Sequence, residues 1–224
     1  MSATGTESLA ESAYRLIEEE IVMLRLAPGA MTTEQRMCEH LGLGRTPVRE
    51  ALLRLAGGFL VTIMNRRGVY IRPIEVEYAL MTVDVRRSVE RLLVQRATRY
   101  ADDFERRRFY AMADRIEETA NKADIIGFMR ADDELNRLVG KAARHDVAAR
   151  TVAPLHCVNR RLGYLYAGDE GKGLSYTGKE HAHMMRAIAD GDQAASERAL
   201  DNLLDATVTI AHAIGELSEE RALS

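Results

Sequence analysis

Tryptophan is absent from this 224-residue chain, and aromatic residues make up only 5% of it. Alanine, leucine, arginine and glutamate are plentiful instead, and that balance favours helices over sheets. Cysteine occurs twice, as Cys38 and Cys157, without metal-like spacing. Each lies among helical apolar residues, so both are expected to be buried, reduced thiols. Nothing at the N-terminus reads as a signal peptide, and no apolar run approaches the length that crosses a bilayer. No membrane partner is expected, and the cytoplasm is the expected compartment. The chain has no P-loop, no Gly-x-Gly-x-x-Gly and no nucleophile elbow, so no enzyme is expected. It also has no convincing internal repeat and no low-complexity segment. What remains is a chain that is 46% hydrophobic, enough for a real core, and long enough for two small domains or one large one.

The net charge of −3 looks wrong for a nucleic-acid binder, but it is unevenly spread. Between Arg25 and Pro73 eight arginines stand against three glutamates, whereas from Ile74 onward 22 basic residues face 26 acidic ones. Within the basic stretch, Gly42 and Gly44 supply the backbone freedom of a tight turn. Thr46 suits a helix N-cap and Pro47 the first helical position. Val48, Ala51, Leu52 and Leu55 then recur at helical spacing. Arg45 and Arg49 sit off that apolar face, at the start of the helix, where arginines can reach phosphates and guanine edges.

Upstream, Ala13, Leu16, Ile17, Ile21 and Leu24 form a helical stripe that ends before Pro28-Gly29. Thr32 and Gln35 have capping-box spacing and open a second helix, with Met37, Cys38 and Leu41 as its apolar side and Gly42 at its end. Downstream, Gly57-Gly58 stops the arginine helix. Two β-like runs follow, Leu60 to Ile63 and Val69 to Ile71, joined by Asn65-Arg66-Arg67-Gly68. Turn and charge both suit a wing resting on a sugar-phosphate backbone.

These residues resemble the DNA-binding domain of the GntR family of bacterial transcription regulators, over roughly 8–73. The resemblance is carried by Leu26-x-Pro28-Gly29, by Leu41-Gly42-Leu43-x-Arg45-Thr46-Pro47-Val48-Arg49-Glu50-Ala51-Leu52, and by Arg67-Gly68-x-x-Ile71. Gly57 departs from it, because the family usually has an acidic or polar residue there. The resemblance implies base and phosphate contacts from Arg45, Thr46, Pro47 and Arg49. It implies mainly phosphate contacts from Arg36, Asn65, Arg66, Arg67 and Gly68.

Beyond Pro73-Ile74 the pattern is helical almost throughout, with helices expected near 76–101, 103–122, 124–143, 146–167, 176–190 and 192–216. The fold class is therefore mainly α, an N-terminal winged helix-turn-helix followed by an all-helical bundle over 76–216. Arg86-x-x-x-Glu90, Asp132-x-x-Leu135-Asn136, and Glu180-His181 with Met184, Ala187-Ile188 and Asp192 resemble the FCD domain of the FadR branch of the family. Six helices suggest its VanR-like subgroup. That resemblance implies dimerisation and a cavity for a small organic effector, often an acid.

Many FCD domains also hold a divalent metal through one Asp and three His. Here Asp132 and His181 match, but Asn136 and Leu203 stand where histidines are expected. Leucine cannot coordinate, and imidazoles normally give transition metals their affinity in such sites. No firm metal or other cofactor is expected. At most, Zn or Ni is held weakly by Asp132, Asn136 and His181. Arg86 could instead pair with an effector carboxylate in two-pronged fashion. Asn136 and His181 would add hydrogen bonds, and Leu203 would make the cavity more apolar. The alternative is structural, with Arg86–Glu90 as an intrahelical ion pair and Asp132–His181 as a buried lock. His156 reads as a satisfied core histidine, His183 as solvated, Arg106-Arg107-Arg108 as a solvated face, and His145-Asp146 as a helix cap.

The expected function is a DNA-binding transcription regulator, a repressor by family habit. It would act as a homodimer on a pseudo-palindromic operator, controlled by a small carboxylic-acid effector. The alternatives are a DNA-binding dimer whose helical domain is structural only, and a metal-dependent helical sensor or enzyme.

Overall fold

The computed structural model describes residues 8–222, in two compact units that divide between Ile74 and Glu75. The first unit contains α1 (Leu9–Val22), β1 (Met31–Thr32), α2 (Glu34–Leu41), α3 (Arg45–Gly57), β2 (Val61–Met64) and β3 (Gly68–Ile71). Ala13, Ile17 and Ile21 on α1 and Val48, Ala51, Leu52 and Leu55 on α3 are buried, so the two helices share one apolar core. The four α3 residues are those that its sequence spacing selects. Met37 of α2 is buried, but Cys38 is only half-buried, so the expectation of a buried thiol holds for Cys157 alone.

Two helix starts differ from expectation. Thr33, not Thr32, caps α2, its hydroxyl accepting from the Arg36 N–H at 3.1 Å. Thr32 is taken by β1, which pairs with β3 in register Thr32↔Val69. Helix α3 begins at Arg45 after Gly44, with no side-chain cap. Thr46 and Pro47 therefore lie inside its first turn, where backbone N–H groups have no intrahelical partner and proline loses nothing. The sheet order is β1-β3-β2, so the wing has a third strand beyond the two expected. Gly68 cannot be replaced in it: its φ is +108°, and a Cβ there would lie 2.3 Å from Thr32 O.

The second unit is a bundle of six α-helices among the described residues: α4 (Val76–Tyr100), α5 (Asp103–Asn121), α6 (Ile125–Ala142), α7 (Asp146–Ala167), α8 (Leu174–Asp190) and α9 (Gln193–Ala222). Each start has a local cause. Asp102 and Glu105 form a capping box on α5, and Asp124 caps α6 through the Gly127 N–H. His145 Nδ1 accepts from Ala148 N on α7, and Asp192 accepts from Ala195 N on α9. Phe109, Ile116, Leu135, Leu162, Met185, Ile188 and Leu204 form the fully buried core. Each of these large side chains stabilises the fold by roughly 1.5–3 kcal/mol. Helices α5 and α8 approach closely enough that a Cβ on Gly178 would meet Ala120 Cβ at 2.5 Å. Helices α4 and α9 are joined by charge, with Arg87 on Asp201 and Asp205, and Arg91 on Glu197 and Asp201. Arg106 is half-buried rather than solvated. Its guanidinium donates to Ile188 O, Ala189 O and Thr98 O and so closes two helix ends. No helix among the described residues is long and apolar enough to cross a membrane.

Candidate functional site

Two places in the chain carry functional chemistry, one in each unit. In the first, Arg45, Thr46 and Arg49 are exposed on the first turns of α3, opposite its buried face, with Pro47 half-buried beside them. Asn65, Arg66 and Arg67 are exposed at the β2–β3 turn, which the Arg67 N–H closes onto Met64 O at 3.0 Å. Arg66 takes a left-handed φ of 61° there. Arg36 is exposed on α2. These five arginines form no ion pair among the described residues. In the same unit Arg54 is held by Glu11 at 2.7 Å and lies over the Tyr14 ring, and Arg25 is held by Glu19 and Glu20. The free cations are thus concentrated on the start of α3, on α2 and on the wing.

The second place is a cavity of about 90 Å³ inside the bundle, and the structure brings Arg86, Asp132, Asn136, His181 and Leu203 together in its lining. Spacing of four residues on a helix puts Arg86 with Glu90, Asp132 with Asn136 and Thr177 with His181 on common faces. Arg86 Nε and Nη2 both donate to the Glu90 carboxylate. His156 Nε2 lies 3.0 Å from Glu90 Oε1. Burial alone would raise the Glu90 pKa, but the Arg86 guanidinium and His156 beside it reverse that and hold it at about 2. An ionised carboxylate only accepts, so His156 Nε2 carries the proton. His156 therefore both lines the cavity and is satisfied.

The second cluster is built around Asp132. His181 Nε2 stands 3.1 Å from its Oδ1, Asn136 Nδ2 donates to Oδ2 at 3.2 Å, and Arg160 Nη1 lies 3.7 Å from Oδ2. His181 Nδ1 is 2.7 Å from Thr177 O, a carbonyl that can only accept, so that nitrogen carries a proton. The Phe128 ring meets His181 edge-on at 5.8 Å between centroids. His183, by contrast, is exposed. Both pairs that sequence allows as structural locks, Arg86–Glu90 and Asp132–His181, are formed, and both line the cavity. Glu90 thereby occupies the Nε/Nη2 edge of the Arg86 guanidinium, so a ligand carboxylate could pair with Arg86 in two-pronged fashion only through its Nη1/Nη2 edge.

The donor set fits a tightly held metal poorly. Asp132 and His181 are two firm donors, Asn136 turns its amide N–H toward Asp132, and the Leu203 side chain offers carbon. The described residues contain no group of three or more His, Cys, Asp or Glu placed to hold an ion, whereas protein metal sites usually have three firm ligands or more.

Two lining residues have no signal in the sequence pattern. Lys172, in the loop before α8, faces the cavity and lies over the Tyr166 ring at 4.7 Å, with no carboxylate partner among the described residues. Asn159, on α7, lies between His156 and Arg160 in a run that reads only as helical. Neither has a motif neighbour, and only the bundle's long-range packing brings them to the site.

Residues 9–71 match the family described as bacterial regulatory proteins, gntR family, and residues 82–206 match the FCD domain. The HTH-type transcriptional repressor RspR of Escherichia coli K12 is 22% identical over 220 residues, covering 97% of this chain and 93% of that protein. The Nta operon transcriptional regulator of Aminobacter aminovorans is 26% identical over 174 residues, covering 75% of this chain and 78% of that one. Among solved structures, E. coli McbR/YncC aligns with a TM-score of 0.79 at 17% identity, over 92% of this chain and 98% of that one. A transcriptional regulator GntR from Rhodococcus sp. RHA1 gives 0.69 at 22% identity, over 91% and 98%. At these identities the structural likeness speaks for the fold alone.

Proposed function

The chain belongs to the GntR family of bacterial transcription regulators and carries an FCD domain, and from that premise we propose that it is a cytoplasmic repressor whose operator affinity is set by a small organic acid bound, without a metal, in the bundle cavity. That it is a DNA-binding regulator and not an enzyme follows from the family; the rest is our reading. Arg45, Thr46 and Arg49 would read base edges and nearby phosphates from α3, while Arg36, Asn65, Arg66, Arg67 and the Gly68 backbone would hold the sugar-phosphate chain. A homodimer would present two such heads to a pseudo-palindromic operator.

The observation that carries the effector reading is the cavity's charge: Arg86, Arg160 and Lys172 line it against Glu90 and Asp132. Arg86 is committed to Glu90, so Lys172 is the better anchor for a carboxylate. A cavity of about 90 Å³ is smaller than the ~150 Å³ that admits benzene, which suits an acid of few carbons. Ligand in the cavity changes DNA affinity only if the two DNA-binding states hold it differently.

The test is thermal melting of EDTA-treated protein against small carboxylic acids and divalent metals, because a ligand that binds only the folded state raises Tm by mass action. The reading expects a shift with an acid in EDTA and none with Zn²⁺ or Ni²⁺ alone. A shift that requires the metal contradicts it.

A further inference from the structure

Matched pair by pair, the charges of the cavity wall leave one cation over. Arg86 donates to Glu90, and Arg160 Nη1 donates to Asp133 Oδ1 at 3.0 Å. His181 Nδ1 already serves Thr177 O, so the hydrogen between His181 Nε2 and Asp132 Oδ1 belongs to one of the two, and that pair is neutral whichever holds it. Lys172 lines the same cavity and has no carboxylate among the described residues.

Lys172 is also held in position. Its backbone N–H donates to Ala167 O at 3.0 Å, which ties the loop to the end of α7. Its ammonium lies over the Tyr166 ring at 4.7 Å. Gly173 packs on that ring too, where a Cβ would come 3.3 Å from Cε1. An aromatic face attracts the ammonium but gives its N–H donors no anion. Exposure then sets a direction. Lys172 is exposed, whereas Phe128, Leu162, Met184, Leu200 and Leu203 on the same wall are buried. A carboxylate on Lys172 sits at the solvent end, and the rest of the molecule lies against apolar side chains. A second carboxylate would go in with no unmatched cation to meet it, and burying an uncompensated charge is costly. The Nη1/Nη2 edge of Arg86 can still donate, but Glu90 has already cancelled its charge.

We propose that Lys172 sets the charge class of the effector: a monocarboxylate with an uncharged, largely apolar body, its one carboxylate held by Lys172, and not a dicarboxylate. This rests on the acid-effector reading above and adds to it the number of charges the site accepts and the end at which they sit.

The experiment is calorimetric titration of the full-length, EDTA-treated protein, at a pH where every carboxyl is ionised. The probes are butyramide, butyrate, succinamate and succinate, with their three- and five-carbon counterparts. At the best-binding length the monocarboxylate should bind about tenfold more tightly than its amide, the low end of what a hydrogen bond to a charged group contributes. The dicarboxylate should bind about tenfold more weakly than the monocarboxylate. Its half-amide, with the same shape and one charge fewer, should recover part or all of that loss. In Lys172→Met the monocarboxylate should bind no better than its amide, with Tm unchanged because the position is exposed. A dicarboxylate that binds wild type as tightly as the monocarboxylate overturns the inference while the acid reading stands. A half-amide that recovers nothing assigns the loss to size and overturns it as well. Monocarboxylate affinity that survives Lys172→Met also overturns it and moves the carboxylate to the open edge of Arg86. If no acid of any length binds, the acid reading fails and takes the inference with it.

Discussion

In the N-terminal unit Arg36, Arg45, Arg49, Arg66 and Arg67 reach solvent without a carboxylate partner among the described residues. In the bundle Arg86, Arg87, Arg91, Arg144 and Arg186 each sit on at least one carboxylate. The residue type is the same and the physics opposite. A paired guanidinium has its field cancelled at short range and, where its carboxylate lies on another helix as for Arg87, Arg91 and Arg186, serves as a cross-link between helices. An unpaired one keeps its charge available for phosphates and steers a polyanion to the surface. The whole-chain charge of −3 averages over both uses and describes neither. The partition also agrees with the family match, in which the two units fall to different domains.

The sharpest break of this contrast is inside the cavity. Glu90→Gln leaves the half-buried Arg86 without its counter-charge, and thermal or urea unfolding should show a loss on the order of 3 kcal/mol at neutral pH. The sign with pH follows from a pKa lowered from 4.5 to about 2. Glu90's contribution is complete above the unfolded value and disappears as pH falls toward the folded one. Between pH 5 and pH 2 the variant should therefore lose less stability than wild type. Equal acid limbs would show that Glu90 is not held ionised by its neighbours.

On the DNA side, Arg49→Ala should weaken binding to a duplex selected from a random pool by about 10- to 100-fold, the span of one good base contact, with circular dichroism and Tm unchanged. Unaltered affinity would remove α3 from the recognition role. Arg66→Ala with Arg67→Ala should act more mildly. Fluorescence anisotropy across a salt series should show the slope of log K against log salt reduced by about two, equally on selected and unselected duplexes. A loss confined to the selected duplex would mean that the wing reads sequence. The smallest expected effect is none at all: Zn²⁺ should leave the wild-type Tm unmoved, while Asn136→His with Leu203→His should acquire a Zn²⁺-dependent rise.

Local pattern carried far into this fold. The buried face of α3 and the run of α4 to α9 follow from 3.6-residue periodicity and from caps that lie within three residues of the helices they start. Sequence falters where two neighbours satisfy the same local rule. Thr32 and Thr33 both suit an N-cap, and only the pairing of Thr32 with Val69 across the sheet decides between them. A two-residue strand such as β1 has no period to detect. The cavity is the same case on a larger scale. Arg86, Asp132 and His181 are legible by motif, but Lys172 and Asn159 arrive from a loop and from the middle of a helix through contacts far apart in sequence. Motif also names Arg86 without revealing that Glu90 already occupies it.

The most direct measurement is operator affinity of the full-length protein, by fluorescence anisotropy on the selected duplex, with and without the acid that raises Tm most in EDTA. Coupling of the usual size predicts a decrease of about 5- to 150-fold at saturating acid, the mark of a repressor released by its ligand. An affinity unchanged while the acid is bound would contradict the account and leave the bundle as structural support for the DNA-binding heads.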